Sequence, residues 1–351
     1  MRIAITGATG NVGTSLLRHL VDDPRISSIV GIARREPQIE VPKTTWVAAD
    51  VSRDELVPHF RGTDVVVHLA WLIQPSRDER TLYETNVAGS RRVFAATAAA
   101  GVPALVYASS VGAYSPGPKD RAVDESWPTD GVATSFYSRH KAEVEHVLDG
   151  FEERHGWDVR TVRLRPALTF KREAASGVRR LFAGPFLPSP LLRRSLIPVI
   201  PYTKDLVFQA VHSKDVAEAY HLAITGDVRG AFNIAADPIL DAVALAEVFD
   251  ARPLRVPRAF LRAATTATWR MRLQPTPPGW VDLALQSPLL DTARARTVLW
   301  WEPRVTATQA LADLLSGIRD GAGLNTPPLH PKTGGPLRVG EIASGVGRRT
   351  G

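Results

Sequence analysis

The chain has 351 residues, which is enough to bury a sizeable core as one large domain or two closely packed ones. Its shares of hydrophobic (44%) and charged (23%) residues are ordinary for a globular protein and exclude disorder as the main state. The absence of cysteine excludes disulfides, thiolate chemistry and sulfur-ligated zinc.

The formal net charge of +7 raises the question of a nucleic-acid partner. The arginines, however, are spread along the chain and alternate with acidic residues, so we expect no nucleic acid among the partners. The nine histidines show no paired metal-ligating spacing, and we expect no metal site. A strand pattern starts at residue 2 and no apolar run reaches the ~18 residues of a membrane span. We therefore expect a cytoplasmic protein without a membrane partner.

The first half of the chain alternates short β-rich runs with longer helical patterns. The predicted strands are Arg2–Thr6, Ser28–Ala33, Thr45–Ala48, Val65–Leu69, Leu105–Ala108 and Val159–Leu164. The helices predicted between them include Thr14–Val21, Glu84–Ala100 and Phe136–Phe151. This alternation predicts an α/β fold, a Rossmann-type doubly wound parallel sheet with helices on both faces.

The pattern changes after residue 168. A stretch rich in Pro, Leu and Arg has no regular period, which is typical of a substrate-binding insertion. A strand (Leu206–Val211), a helix (Asp215–Ile224) and a strand (Ala231–Ile234) then return. The sequence predicts a Rossmann domain over 1–168, rejoined by 206–236. It also predicts a smaller, partly helical substrate-binding region over 169–205 and 237–320, and a flexible tail over 321–351.

A glycine-rich turn joins the first strand to the first helix, in the run Thr6-Gly7-Ala8-Thr9-Gly10-Asn11-Val12-Gly13. Glycine permits a tight turn and close approach of a ligand to the backbone, and a helix N-terminus offers free N–H groups to a pyrophosphate. This context predicts that the domain binds a dinucleotide. The candidate binding residues are Gly7, Thr9, Gly10, Asn11, Val12 and Gly13.

The end of the second strand should distinguish the two nicotinamide cofactors. An acid at this point binds free ribose hydroxyls, whereas Arg accommodates an added phosphate. Arg34 and Arg35 follow Ala33 and no acid is present, which favours NADP(H) and leaves NAD(H) as the alternative. The other interpretation is that both arginines are solvated loop residues.

Tyr137 and Lys141 are four residues apart in a predicted helix and therefore share one face. An ammonium beside a phenol favours the phenolate, so we expect Lys141 to lower the pKa of Tyr137 from about 10 toward neutral. Ser109 and Ser110 follow the fifth strand, at the carboxyl edge where parallel sheets bind ligands. A serine hydroxyl there can hydrogen-bond a substrate oxygen.

With these motifs in this order, the chain resembles the extended short-chain dehydrogenases/reductases of the NAD-dependent epimerase/dehydratase family over residues 1–320. The resemblance implies hydride transfer between a nicotinamide and a carbonyl or hydroxyl carbon of a small molecule. Ser110, aligned on Tyr114, would polarise the substrate oxygen, Tyr137 would move the proton and Lys141 would hold the nicotinamide ribose. Ser109 is the neighbour to check. The further cofactor contacts that the resemblance implies are Asp50, Val51, Leu69, Ala70, Tyr137, Lys141 and Pro166.

Departures from the family pattern bear on the substrate. Phe208 stands where nucleotide-sugar enzymes of the family carry a phosphate-binding Arg, and Val111-Gly112 replaces the Asp-Glu of sugar dehydratases. Dehydration is therefore not expected, and a hydrophobic ketone, aldehyde or alcohol is favoured. The apolar residues expected to line the pocket are Leu181, Phe182, Phe186, Leu187, Leu191 and Leu192.

Two alternatives stay open at this point. In a nucleotide-sugar epimerase with retained NAD, Arg193, Arg194 or Lys204 could replace the missing Arg. A binding protein that has lost catalysis is the other, although both Tyr137 and Lys141 are present. The resemblance is compatible with a homodimer, but the sequence does not determine the oligomeric state.

Overall fold

The structure, a computed structural model, describes residues 1–73, 77–182, 199–272 and 276–331. The strands in chain order are β1 Arg2–Thr6, β2 Ser28–Ala33, β3 Thr44–Ala48, β4 Val65–His68, β5 Ala104–Ala108, β6 Ala122–Val123, β7 Arg160–Pro166, β8 Leu168–Phe170, β9 Val199–Tyr202, β10 Phe208–His212, β11 Gly230–Ile234, β12 Ala236–Leu240, β13 Arg252–Arg255 and β14 Leu289–Leu290.

The helices begin with α1 Asn11–Leu20, α2 Val57–Phe60, α3 Glu79–Tyr83, α4 Gly89–Ala99, α5 Phe136–His155 and α6 Ala175–Phe182. They continue with α7 Ser213–Thr225, α8 Ala242–Phe249, α9 Arg258–Arg270, α10 Gly279–Gln286, α11 Ala293–Thr297 and α12 Ala307–Asp320. No helix in these described ranges combines the length and the apolar character needed to cross a membrane.

Seven parallel strands form the main sheet in the order β3-β2-β1-β4-β5-β7-β11. The chain runs outward from β1 in both directions, so the carboxyl ends of β1 and β4 flank a topological switch point, where such sheets bind ligands. The predicted doubly wound parallel sheet is confirmed. The six predicted N-terminal strands all occur, with bounds shifted by at most two residues.

The two faces of the sheet carry separate apolar clusters. Ile3 and Ile5 of β1 contribute to one cluster and Ala4 to the other, because successive strand residues point to opposite faces. The first cluster includes Leu16 of α1, and the second includes Phe94 of α4. Burial on both faces explains why these strands are almost uniformly apolar.

Smaller sheets lie beside the main one. β8, β10 and β12 form a three-stranded sheet, while β9 pairs with β13 and β6 pairs with β14. Trp301 is fully buried and its indole Nε1 donates to the Asp215 carbonyl at 2.7 Å, which joins the segment before α12 to α7. These elements include much of the predicted substrate-binding region.

Two segments differ from the expectation. The predicted helix Glu84–Ala100 is preceded by α3, and residues Glu84–Ala88 form a π-helical turn before α4.

Gly321 ends α12 in a left-handed conformation (φ 63°). The beginning of the predicted tail is packed, since Thr326 and Leu329 are 1% and 4% exposed. Residues 332–351 lie outside the described part.

Candidate active site

The glycine loop lies against the end of β4. Gly7 has φ +74°, and a Cβ built on it would lie 2.6 Å from the backbone nitrogen of Ala70. A Cβ on Gly13 would lie 2.6 Å from the Gly7 carbonyl oxygen. A side chain at Gly7 or Gly13 would therefore clash with this backbone. The glycines keep open the concave turn before α1, which we call the glycine cradle. The turn brings two predicted cofactor segments together, the glycine loop and Leu69-Ala70.

The first turn of α1 leaves polar groups without partners. Gly10 is its N-cap and provides no capping side chain. The Asn11 amide donates to the Thr169 carbonyl at 2.9 Å, while its Oδ1 is buried without a hydrogen-bond partner. Thr9 is buried and Val12 half-buried. A bare helix N-terminus beside a glycine cradle fits the pyrophosphate of a dinucleotide.

Arg34, half-buried, and Arg35, exposed, follow β2, and the β2 residue Ile32 accepts a hydrogen bond from the Gly7 backbone at 2.9 Å. Burial lowers the pKa of Arg34, and the Asp50 charge acts in the opposite direction. Burial also acts to raise the pKa of Asp50, but hydrogen bonds from Ser52 and nearby arginines leave it below its ordinary value. A carboxylate thus lies near the arginine predicted to bind phosphate.

Val51 packs inward, in the cluster that includes α4. It is 5% exposed, and a Cβ built on Gly89 would lie 2.9 Å from its Cγ2. Pro166, by contrast, is half-buried at the end of β7, where it pairs with Ile234. Both stay predictions as cofactor contacts.

Tyr137 lies in the first turn of α5, whose N-cap Ser135 accepts a hydrogen bond from the Ser138 backbone. Its ring packs so closely on Gly112 that a Cβ there would lie 2.7 Å from Cε1. Burial raises the pKa of Tyr137 to about 12, and a hydrogen bond from Ser110 acts to lower it. The phenol is therefore protonated at neutral pH in this structure.

The expected effect of Lys141 on Tyr137 is not found. The Lys141 ammonium donates to the Ala108 carbonyl at 2.6 Å and lies 3.5 Å from the centroid of the Trp71 ring. Burial lowers the pKa of Lys141 to about 7, and it is not among the groups that shift the pKa of Tyr137. The helical spacing correctly put both residues on one face of α5. The Lys141 ammonium, however, binds the Ala108 carbonyl and the Trp71 ring instead of the Tyr137 hydroxyl.

The two candidate serines have different environments. Ser110 accepts a hydrogen bond from the Gly112 backbone at 3.0 Å, and a Cβ built on Gly112 would meet both the Ser110 hydroxyl and the Tyr137 ring. Ser109 instead donates a short hydrogen bond to the buried carboxylate of Glu145. This geometry favours Ser110 as the residue beside the phenol.

Glu145 is the centre of a buried ionic network that the sequence analysis missed. Its two oxygens accept from Arg165 at 2.9 Å each, and Arg163 contacts it at 2.8 Å. Burial acts to raise the pKa of Glu145, but the two arginines and Ser109 hold it at about 2. The available signal was an acid one turn after Lys141 and two arginines at alternate positions of β7.

Aromatic side chains surround Tyr137. The ring centroids of Trp280 and Trp71 lie 5.1 Å and 6.1 Å from that of Tyr137. The Trp71 indole N–H is buried and has no hydrogen-bond partner. The same apolar cluster includes Leu82, Val132, Phe136, Leu181 and Leu72. Sequence reasoning missed both tryptophans, although Trp71 directly follows Ala70.

The π-helical turn positions the Trp71 segment. Asn86, in that turn, accepts from the Leu72 backbone N–H at 2.7 Å and donates to the Leu72 carbonyl at 3.1 Å. The Asn86 side-chain amide thus pairs with both backbone polar groups of Leu72, as a neighbouring strand would. Single π turns are frequent at functional sites, and this one fixes the residue next to Trp71.

Only some of the predicted substrate residues can be placed. Leu181 is buried in the aromatic cluster, and Phe208 is half-buried at the start of β10. Lys204 lines a cleft of about 620 Å³ with Lys119, Arg258, Asp120 and Asp205. Phe186, Leu187, Leu191, Leu192, Arg193, Arg194 and the side chain of Phe182 lie outside the described residues.

One potential metal-ligand group occurs among the described residues. Ligand atoms of His19, Glu218 and His221 lie within 4.8 Å of one another between α1 and α7. His19 already forms an ion pair with Glu218 at 2.7 Å, and His221 one with Asp23 at 2.6 Å. Because each histidine already has a carboxylate partner, we assign no metal to the group.

The chain is similar to an uncharacterized protein of Mycobacterium tuberculosis, with 27% identity over 329 residues, or 92% of this chain. It spans about a third (31%) of the length of that relative. It is also 31% identical over 179 residues to the L-arabinose 1-dehydrogenase (NAD(P)(+)) of Haloferax volcanii, covering 48% of this chain and 68% of that protein.

Among solved structures, UDP-glucose 4-epimerase of Thermus thermophilus, in complex with NAD, superposes with a TM-score of 0.66. The match covers 91% of this chain and 99% of that one at 21% identity, so it shows the fold alone. The model of the NAD dependent epimerase/dehydratase family matches residues 3–235. Because this match covers more than half of the chain, the chain belongs to the NAD dependent epimerase/dehydratase family.

Proposed function

We propose that this protein is an NAD(P)-dependent oxidoreductase acting on the carbonyl or hydroxyl carbon of a small, apolar substrate. The observation that carries the proposal is the position of Tyr137, which packs on Gly112 beside the Ser110 hydroxyl inside an apolar, aromatic cluster. A proton donor in apolar surroundings is suited to an apolar carbonyl compound.

The residues have separate roles in this proposal. A bound nicotinamide supplies or accepts the hydride. Tyr137 gives its proton to the substrate oxygen during reduction and takes it back during oxidation, while Ser110 hydrogen-bonds the same oxygen. Gly7, Gly10, Asn11 and Gly13 would hold the pyrophosphate, and Lys141 the nicotinamide ribose.

The two tryptophan rings beside Tyr137 favour an apolar substrate. The Trp280 ring is tilted by 31° against the Tyr137 ring, and Trp71 meets Tyr137 edge to face at 78°. Flat apolar surfaces bind an aromatic or aliphatic carbonyl compound well and offer few partners to sugar hydroxyls. The unpaired Trp71 N–H is one donor available to a substrate acceptor.

A nucleotide-sugar epimerase with retained NAD is the second candidate. The cleft that carries Lys119, Lys204 and Arg258 favours it, because three cations could bind a diphosphate. Asp120 and Asp205 line the same cleft and would oppose an anion. We therefore rank this function below the first.

The purified protein should be tested for cofactor fluorescence and then for oxidation of NADPH and NADH with a panel of apolar aldehydes and ketones. We expect turnover that depends on an added cofactor and a ~10²-fold or greater loss in Tyr137→Phe. Tightly retained nicotinamide together with interconversion of nucleotide sugars would support the epimerase. No binding of either cofactor would overturn both functions.

NADP(H) is the proposed preferred cofactor, because Arg34 and Arg35 lie at the tip of β2, next to the glycine loop. We also keep the cytoplasm as the proposed location, which suits a chain without cysteine. A homodimer remains a proposal that sedimentation can test.

A further inference from the structure

A lysine that the proposed function does not use packs against the first turns of α1, directly after the glycine loop. Lys171 follows β8 and is 2% exposed. Its ammonium donates to the Asn11 carbonyl at 2.7 Å, to the Thr14 hydroxyl at 2.6 Å and to the Ser15 hydroxyl at 3.1 Å. All three acceptors belong to the first turns of α1, directly after the glycine loop.

All three acceptors are neutral. Among the described residues, no carboxylate lies within 4 Å of the Lys171 ammonium. The charged groups that act on it are Glu173 from its own segment and Arg18 from α1, and these two pair with each other at 3.3 Å. From α7, the neutral hydroxyl of Ser213 joins the network at Ser15, with an oxygen–oxygen distance of 2.9 Å. The ammonium is thus buried without a direct counter-charge.

Its position makes the missing counter-charge more costly. The N-terminus of a helix carries partial positive charge, which disfavours a cation there and favours an anion. A buried ammonium without an anion is costly as well. The same helix N-terminus, with its glycine cradle and unpaired Asn11 Oδ1, is the proposed pyrophosphate site. An anion bound there would compensate both the helix and the lysine.

We propose that Lys171 is a positioning residue for the dinucleotide, whose ammonium supports the pyrophosphate through the first turn of α1, so that cofactor binding takes up a proton above neutral pH. This inference rests on the proposed dinucleotide-dependent function. It assigns an electrostatic role to a residue outside the glycine loop.

The direction of the pH effect follows from burial, which lowers the pKa of Lys171 to about 7. Below this pH the lysine is charged in the free protein, and the pyrophosphate binds without proton uptake. Above it, the free protein holds a neutral lysine, and a bound anion raises its pKa again. Affinity should therefore fall as pH rises above 7, by at most ~10-fold per pH unit.

The test is calorimetric titration of the full chain with ADP-ribose between pH 6.5 and 9, in two buffers of different ionisation enthalpy. We expect proton uptake at pH 8 in the unmodified protein and none from this group in Lys171→Met. The variant should bind ~10-fold more weakly at pH 6.5. Lys141 has a similarly lowered pKa, but it is present in both proteins, so the difference between them reports Lys171.

Thr14→Val is the matched control, because it removes one acceptor and keeps the charge. A merely structural tether predicts that Thr14→Val and Lys171→Met weaken binding alike and leave the pH profile unchanged, which would overturn the inference. If Lys171→Met does not fold, Lys171→Gln takes its place, and absence of proton uptake in the unmodified protein is sufficient to refute the role. Failure of every protein to bind ADP-ribose would overturn the proposed function instead.

Discussion

At the scale of single residues, the protonation state of Tyr137 links the structure to the direction of the reaction. Its pKa of about 12 keeps the phenol protonated over the neutral range. Tyr137 can therefore donate a proton to a carbonyl without any prior change in its protonation state. Alcohol oxidation instead requires the phenolate as base. We expect the rate of oxidation to rise with pH from 7 to 9, by at most ~10-fold per unit, and the rate of reduction to stay nearly flat. Turnover measured in both directions checks this, and a flat oxidation profile would contradict it.

The assignment of Ser110 over Ser109 can be tested by single substitutions. Ser110→Ala removes the hydroxyl beside Tyr137 and should lower turnover by ~10- to 100-fold, with a loss of only about 0.5–2 kcal/mol of stability because the Gly112 backbone N–H loses its acceptor. Ser109→Ala removes a partner of Glu145 and should lower stability instead. Steady-state kinetics and thermal unfolding of both variants separate the two roles. The reverse pattern would transfer the catalytic role to Ser109.

Cofactor choice is the third residue-scale prediction. A charge-assisted hydrogen bond to Arg34 or Arg35 would contribute about 1.5–3 kcal/mol, and one such bond is enough for a ~10- to 100-fold preference for NADP over NAD. The variant carrying Arg34→Ala and Arg35→Ala should lose affinity for NADP and keep that for NAD. Binding of both cofactors to each protein is the measurement. Equal affinities in the unmodified protein would make the two arginines ordinary surface charge.

At the scale of elements, Glu145 joins α5 to β7. Glu145→Gln should lower the free energy of unfolding by ~3–5 kcal/mol, because it leaves Arg163 and Arg165 buried with less compensation. Glu153→Gln, on the exposed part of α5, is the control and should change little. The depressed pKa of Glu145 means that its contribution is present above its ordinary pKa of 4.5 and is lost as pH falls toward 2. Urea unfolding at pH 7 and pH 3 measures both effects.

Periodicity predicted the elements of the sheet better than it predicted the helix before β5. β1 and β2 occur with the predicted bounds, since burial on both faces gives a strong apolar signal. The helix expected over Glu84–Ala100 contains a π-helical turn, because Asn86 is used to bind the backbone of Leu72. That contact joins residues 14 apart in the sequence, so the apolar periodicity of the helix does not reveal it.

At the scale of the whole molecule, the sequence named candidate segments for the site but not all of their mutual contacts. The glycine loop and Leu69-Ala70 lie against each other, because the carboxyl ends of β1 and β4 are neighbours. Trp280 comes from a helix far along the chain and reaches Tyr137 by tertiary packing alone. Lys171 likewise contacts Asn11 across 160 positions of sequence, a distance over which one sequence carries no pattern.

The packed start of the predicted tail should affect both cofactor binding and stability. The Thr326 hydroxyl donates to the Thr9 carbonyl of the glycine loop at 3.0 Å, so Thr326→Val should weaken dinucleotide binding ~5-fold through loss of about 1 kcal/mol. Leu329 is 4% exposed, and Leu329→Ala should lower the free energy of unfolding by ~2–5 kcal/mol. Thr297→Val, at an exposed position of α11, is the control for both. Cofactor titration and urea unfolding of the three variants are the measurements. Unchanged binding and stability would mean that residues 321–331 behave as the flexible tail that the sequence predicted.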